Sequence, residues 1–179
     1  MDSRNPIYSE QTQCQDCYKC LRECPVKAIR FNNSQANVIP ESCIVCGHCV
    51  SVCPAGAKKV RDDSGQVSHL IAQGKKTLVS LAPSFASEFP EASLGQLIHA
   101  IKRLGFHAVS ETALGAQLVS SRIAAGFESG SEKRVLLSSA CPVAVEYVGR
   151  YLPQHTSSIT PILSPLLAHC KLLKEQFGP

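Results

Sequence analysis

The chain has 179 residues, of which 44% are hydrophobic and 18% charged, and its formal net charge is +4. These values are ordinary for a globular protein of one or two domains. Membrane spanning needs about 18 consecutive apolar residues, and no such run occurs, nor does an apolar signal region follow the N-terminus. We therefore expect neither a membrane partner nor export, and the ten cysteines then favour a reducing, cytoplasmic location.

Cysteine dominates the first third of the chain, where one spacing occurs twice. Four cysteines separated by two, two and three residues precede a proline, first at Pro25 and again at Pro54. The second run follows the first by 29 positions, and the two runs consist of Cys14, Cys17, Cys20 and Cys24, and of Cys43, Cys46, Cys49 and Cys53. Thiolates at this spacing hold cubane iron-sulfur clusters, with three ligands from one run and the fourth, before the proline, from the other.

Two other uses of cysteine fit this spacing less well. A disulfide framework needs an oxidising compartment, which the absence of an export signal does not favour. A zinc ribbon uses two separated pairs of cysteines, whereas each run here places four cysteines within eleven residues. The spacing therefore favours iron-sulfur clusters.

The double run resembles a bacterial-type two-cluster ferredoxin domain. This resemblance implies two 4Fe-4S clusters with crossed ligands, at positions that we name site A and site B. Site A would use Cys14, Cys17, Cys20 and Cys53, and site B would use Cys43, Cys46, Cys49 and Cys24. Each oxidised cluster with its four thiolates carries about −2, so two clusters would offset the formal charge. We therefore expect no nucleic-acid partner.

Short elements are predicted around these runs. Residues 28–31 and 37–39 have the composition of short strands, and one-turn helices are expected after Cys20 and Cys49. About 60 residues bury little apolar surface, so the clusters are expected to take the place of a hydrophobic core. A polar, turn-forming segment at residues 62–65 marks the boundary between two predicted domains, residues 1–63 and residues 64–179.

The second predicted domain alternates strands with helices. Ser93 and Gln96 form a capping box before a helix that ends at Gly105, and Pro142 suits the first turn of a later helix. Strands are predicted at 77–81, 107–110 and 135–137, and further helices at 113–125 and 166–177. This alternation predicts parallel βαβ units. The whole chain is therefore predicted to be α+β, with a ferredoxin-like domain followed by an α/β domain with a short parallel sheet.

Cys141 lies outside the two runs, between a predicted strand and the helix that begins near Pro142. Ligands collect at this edge of an α/β sheet, so Cys141 is a further candidate metal ligand. The surrounding sequence resembles the C-terminal domain of the large subunit of iron-only (FeFe) hydrogenases, closest to its sensory, hydrogenase-like branch. The resemblance rests on residues 78–85, 97–106, 111–119, 138–142 and 164–175.

The chain departs from this family where the active-site cluster is bound. The family's first signature has two adjacent cysteines before a proline, and Cys141 matches the second of them while Ala140 replaces the proton-transferring first. The two later signatures, which supply the remaining ligands, have no match before Pro179. We therefore expect either a fragment of a longer protein or a domain that has lost the active-site cluster, and no catalytic residue is assigned.

Three functions are compatible with this sequence. The favoured one is an electron-transfer protein whose two 4Fe-4S clusters relay electrons to or from a hydrogenase-like domain that senses redox state or hydrogen. Its partners would be a redox protein or further domains of the same polypeptide. The alternative is the N-terminal fragment of a catalytic iron-only hydrogenase. In a third hypothesis, the second domain serves only to dock a partner.

Overall fold

The computed structural model describes residues 6–128, 130 and 135–178. Up to residue 60, the strands and helices are all short. In chain order they are β1 (Ile7–Ser9), α1 (Lys19–Glu23), β2 (Ile29–Asn32), β3 (Gln35–Val38), α2 (His48–Ser51) and β4 (Lys58–Val60). A 3-10 helix at Gln11–Gln13 follows β1.

Longer helices and one pair of strands make up the rest of the chain. They are α3 (Ser64–Ala72), β5 (Leu78–Leu81), α4 (Phe85–Glu88), α5 (Leu94–Arg103), β6 (Ala108–Glu111), α6 (Ala113–Glu128), α7 (Pro142–Tyr151) and α8 (Pro165–Phe177). A second 3-10 helix at Pro153–Ser158 follows α7. No helix among the described residues is long and apolar enough to cross a membrane.

Two compact units form from these elements. The cysteine unit comprises the chain up to Asp62 together with Cys141–Ile159, and the parallel-sheet unit comprises Asp63–Ala140 together with Thr160–Pro179. The segment with α7 thus belongs to the cysteine unit, although the sequence-based division placed it in the second domain. The domain limits 1–63 and 64–179 therefore stay a prediction.

The cysteine unit contains two small antiparallel ladders. In one, β1 pairs with β4, so that Ile7 lies opposite Val60, and in the other β2 pairs with β3. The main cluster of buried residues contains few large apolar side chains. It consists of Ile7, Cys20, Cys24, Ala28, Ile29, Ala36, Cys43 and Cys49. Half of these residues are cysteines, so the thiols form a large part of the core, as expected if clusters occupy it.

The parallel-sheet unit is built around β5 and β6, which pair in parallel with Leu78 opposite Ala108. Helix α8 packs against β5 and against α6. From α8, the His169 imidazole is 1% exposed and bridges the two strands through hydrogen bonds to the hydroxyls of Ser80 (2.7 Å) and Ser110 (2.9 Å). Burial lowers the pKa of His169, which favours a neutral ring with one donor and one acceptor nitrogen.

The α+β class and the short parallel sheet are confirmed by the structure. The capping box is also present: the Ser93 hydroxyl accepts from Gln96 N–H while the Gln96 side chain accepts from Ser93 N–H. The third strand expected at residues 135–137 is reduced to a single bridge residue, Leu137. The Leu137 carbonyl accepts from Thr160 N–H at 2.8 Å, and no ladder continues from this contact.

Gly115 in α6 allows the close approach of α8. A Cβ at this position would lie 2.1 Å from the Pro165 carbonyl oxygen and 2.8 Å from the His169 Cβ. We expect Gly115→Ala to force the helices apart and to cost about 1–3 kcal/mol of unfolding free energy. Urea unfolding, monitored by hydrogen exchange of the amides in α6 and α8, measures this loss of unfolding free energy. Gly95→Ala in α5 is the matched control, because a Cβ there meets nothing within 4 Å; equal stability of the two variants would contradict the prediction.

Candidate metal centre

The two cysteine runs adopt the same local structure. Each contains a one-turn helix, α1 or α2, that begins one residue before the third cysteine of its run. The third cysteines, Cys20 and Cys49, are buried, whereas the second cysteines, Cys17 and Cys46, are exposed. The repeat in the sequence is therefore a repeat in space, with one exposed cysteine at the same position of each run.

The backbone repeats as well, in a conformation that side chains normally avoid. The second residue after the first cysteine has a left-handed φ in both runs, 53° at Asp16 and 57° at Val45. The fourth residue after the first cysteine also has a left-handed φ, 55° at Tyr18 and 76° at Gly47. A third left-handed position lies three residues after the last cysteine of each run, with φ of 53° at Lys27 and 61° at Gly56.

Only two of these six positions carry glycine, so the conformation is imposed against local preference. A β-branched residue such as Val45 with positive φ is a genuine outlier, and such strain concentrates where a ligand is held. Alternation of right-handed and left-handed residues turns successive N–H groups inward, which is how proteins line iron-sulfur sites. The ring centroids of Tyr18 and Phe31 lie 4.5 Å apart, and this contact helps to hold the turn.

Cys24 lies beside the second run rather than only beside its own. One cavity of the cysteine unit is lined by Cys24, Cys43, Cys46 and Cys49, together with Pro25 and Gly47 among others. Backbone N–H groups point at two of its sulfurs: Ala28 N is 3.2 Å from Cys24 Sγ, and Val45 N is 3.3 Å from Cys43 Sγ. This grouping has the membership predicted for site B.

The electrostatics link Cys20 with Cys14 and Cys53, which is the membership predicted for site A. Burial raises the pKa of Cys20, and the neighbouring thiolates Cys53 and Cys14 raise it further, whereas Lys58 lowers it. Burial also acts to raise the pKa of Cys53, but N–H groups of Lys58, Ala57, Ala55 and Gly56 outweigh it and lower the pKa. Cys53 thus receives the hydrogen bonds that suit a thiolate.

The thiol of Cys49 has a raised pKa, which opposes metal binding. Burial raises its pKa to about 11, and the thiolates Cys43, Cys20 and Cys46 add to the effect against the opposing charge of Lys58. At neutral pH a free Cys49 would therefore be a thiol, and a metal would have to displace its proton.

The spacing of the cysteine side chains can be compared with what a cluster requires. In the part of the chain that the structure describes, no three His, Cys, Asp or Glu side chains meet closely enough to hold one metal ion, and all ten cysteines are free of disulfides. In a 4Fe-4S cluster the four cysteines bind four different irons, so the sulfurs surround the cube instead of meeting at a point. The cavity, the inward N–H groups and the thiol-rich core fit such a group.

Cys141 occupies a different environment. It is exposed and is the N-terminal capping residue of α7, with Pro142 in the first turn. The end of α7 is held beside the second run: the Tyr151 hydroxyl donates to the Ser42 carbonyl at 2.7 Å, and Arg150 donates to the Glu41 carbonyl. The role of Cys141 as a metal ligand stays a prediction.

Sequence reasoning does not identify Lys58, because a lysine next to Lys59 is expected to be exposed to solvent. The structure buries it at 3% exposure beside the cysteines. The burial of Lys58 can be predicted from the repeat, because Lys58 lies 29 positions after the apolar Ile29 and so occupies the same place in the second copy. A position that is apolar and buried in one copy is expected to be buried in the other.

Comparison with protein families gives two matches in chain order. Residues 6–54 match the 4Fe-4S dicluster domain. Residues 75–179, more than half of the chain, match the iron only hydrogenase large subunit, C-terminal domain. Both sequence resemblances are therefore confirmed, and 4Fe-4S clusters are indicated for the N-terminal part.

Individual relatives cover either the first match or both. One subunit of an ion-translocating oxidoreductase complex from Methanosarcina acetivorans is 44% identical over 48 residues, 27% of this chain and 18% of the relative. An uncharacterised ferredoxin from Methanocaldococcus jannaschii is 35% identical over 49 residues, 27% of this chain and 79% of the relative. The NADP-reducing hydrogenase subunit HndD from Solidesulfovibrio fructosivorans is 27% identical over 143 residues, 66% of this chain and 23% of the relative.

The match therefore spans only about a fifth of the length of the oxidoreductase and hydrogenase relatives, although it spans most of the ferredoxin. The similarity that extends beyond the cysteine runs is to a hydrogenase subunit, in agreement with the longer of the two family matches. The chain belongs to the family of the iron only hydrogenase large subunit, C-terminal domain, and carries a 4Fe-4S dicluster domain ahead of it.

Proposed function

We propose that this chain is an electron-transfer protein that holds one 4Fe-4S cluster at site A and one at site B. The observation that carries the proposal is the repeated cradle: two cysteine runs with left-handed backbone at the same three positions. The cavity lined by Cys24, Cys43, Cys46 and Cys49 supports the crossed ligand sets. The dicluster match over residues 6–54 supports the count of two.

When bound, a 4Fe-4S cluster accepts and returns single electrons. The residues of the chain fix the thiolates, direct N–H groups at their sulfurs and exclude water from the buried cysteines. One ligand of each site stays at the surface, Cys17 at site A and Cys46 at site B. These two exposed corners are the places where a donor and an acceptor would exchange electrons with the chain.

We further propose that the hydrogenase-like part uses these electrons in redox or hydrogen sensing. Ala140 stands beside Cys141 where catalytic members have a proton-transferring cysteine, which supports sensing over hydrogen turnover. The rival, a portion of a catalytic hydrogenase, is supported by the similarity to the hydrogenase subunit HndD. Hydrogen evolution from a reduced dye, lost in Cys141→Ala, would favour the rival.

The cluster count is tested by anaerobic reconstitution of the full chain with iron and sulfide. We expect about eight irons per chain, because two complete four-cysteine sites hold about four each. Iron analysis and the electron paramagnetic resonance (EPR) spectrum of the reduced protein measure the count. Cys141→Ser is the matched control, since it removes an exposed cysteine that neither site uses, and it should retain all the iron. A wild-type content of about two metals, or zinc in place of iron, would overturn the proposal.

A further inference from the structure

The two halves of the repeat differ at one buried position. Ala28 and Ala57 are equivalent and both buried, but the next residue is Ile29 in the first copy and Lys58 in the second. Ile29 is 7% exposed and Lys58 only 3%. Burial of an ammonium group costs several kcal/mol unless negative charge compensates it, as in a buried ion pair. The fold therefore keeps a charge where its own repeat shows that an apolar side chain is accommodated.

Uncharged oxygens hold the Lys58 ammonium in place. Lys58 Nζ donates to Ser9 Oγ at 2.5 Å and to the Ala36 carbonyl at 2.6 Å. Ser9 is itself fixed, because its hydroxyl donates to the same Ala36 carbonyl and its own carbonyl accepts from Gln35 Nε2 at 3.0 Å. The ammonium thus has a defined position between β1, β3 and β4, but its acceptors do not neutralise its charge.

The cysteines would supply that negative charge once cluster binding has converted them to thiolates. Burial lowers the pKa of Lys58, while Cys20, Cys49, Cys14 and Cys53 act in the opposite direction. Three of these four cysteines belong to site A, and Cys49 alone belongs to site B. The cavity at site B gives the geometric reason, because Ile29, the equivalent of Lys58 in the first half of the repeat, lines that cavity, whereas Lys58 is not among its lining residues. By the symmetry of the repeat, Lys58 takes the corresponding place at site A.

We propose that Lys58 is a positioning residue that selectively raises the reduction potential of the cluster at site A, and so draws the transferred electron towards that site. The inference rests on the proposed function, since it needs both clusters. Reduction adds one electron, taken from an external donor such as dithionite, and takes the cluster core from 2+ to 1+ with no proton and no bond exchanged. A fixed cation in a water-poor interior stabilises the added negative charge more than it would in solvent.

The test is an EPR-monitored redox titration of the reconstituted full chain with Lys58→Met. We expect this substitution to lower the midpoint reduction potential of the cluster at site A by more than that of the cluster at site B. The site A signal is identified as the cubane signal that survives in Cys24→Ser, which removes a site B ligand. Lys58→Arg, which keeps the positive charge, should restore most of the lost potential.

Lys59→Met is the matched control. It removes the same charge one residue later, from a side chain that is 39% exposed and lies 3.9 Å from the Glu10 carboxylate. Solvent screens such a charge, so we expect little change at either midpoint. Equal shifts in Lys58→Met and Lys59→Met, or a larger shift at site B, would overturn the inference.

A second variant covers the case in which Lys58→Met does not take up clusters. Lys58→Ile copies the residue that the first half of the repeat carries at this place, and it should give the same fall in potential. If both variants bind less than half of the wild-type iron, Lys58 has a structural role and the inference fails. If the wild type itself lacks two clusters, the proposed function fails instead, so the two failures are distinct.

Discussion

Removal of iron from the reconstituted protein is expected to unfold the cysteine runs and to leave the parallel-sheet unit folded. Cysteines make up half of the main buried cluster of the cysteine unit, and the strands of this unit have only three or four residues. Such a segment buries too little apolar surface to be stable alone, so metal coordination supplies its folding free energy. The left-handed residues, Val45 above all, add a cost that only the bound ligand offsets.

Hydrogen exchange with and without an iron chelator measures this effect at the level of segments. Amides of β2, β3 and the two short helices α1 and α2 should lose their protection when iron is removed. Amides of α6 and α8 should keep it, because these helices pack on each other and α8 packs on β5, without cysteine ligands. They serve as the internal control. Retained protection in residues 14–53 after complete loss of iron would mean that apolar packing alone holds the runs.

Periodicity and spacing explain why much of this structure could be predicted. The helical pattern and the capping box located α5, the proline located the start of α7, and the cysteine spacing located the candidate ligands. These signals are local, because each depends on residues within a few positions of one another. The family matches confirm the identity of both parts, while the ligand assignments stay predictions.

Features that depend on distant contacts could not be predicted in this way. The pairing of β1 with β4 joins residues about 50 positions apart, and β1 has only three residues to signal it. The strand expected at residues 135–137 has a suitable composition, but a strand needs a partner along its whole length, and here only Leu137 forms a bridge. The burial of Lys58 is not indicated by its charged neighbours in the sequence, whereas it does follow from its place in the repeat.

Cys24→Ser and Cys53→Ser are expected to damage opposite clusters. Each of these cysteines would complete the site whose other three ligands lie in the other run. In the structure Cys24 lines a cavity with Cys43, Cys46 and Cys49, and the thiolates of Cys53 and Cys14 both act on Cys20. Serine binds iron more weakly than a thiolate, so each variant should lose the cluster that lacks its fourth cysteine and fall from about eight irons towards about four.

Alkylation followed by mass spectrometry shows which cluster is lost, because each site has one exposed cysteine as a reporter, Cys17 for site A and Cys46 for site B. A cysteine that binds iron resists alkylation, whereas a released and exposed cysteine reacts. Cys24→Ser should therefore expose Cys46 to the reagent and leave Cys17 protected, and Cys53→Ser should give the reverse. Labelling of Cys17 in Cys24→Ser would mean that each run binds its own cluster. The crossed ligand assignment would then be wrong, and the position of Cys24 beside the second run would need another explanation.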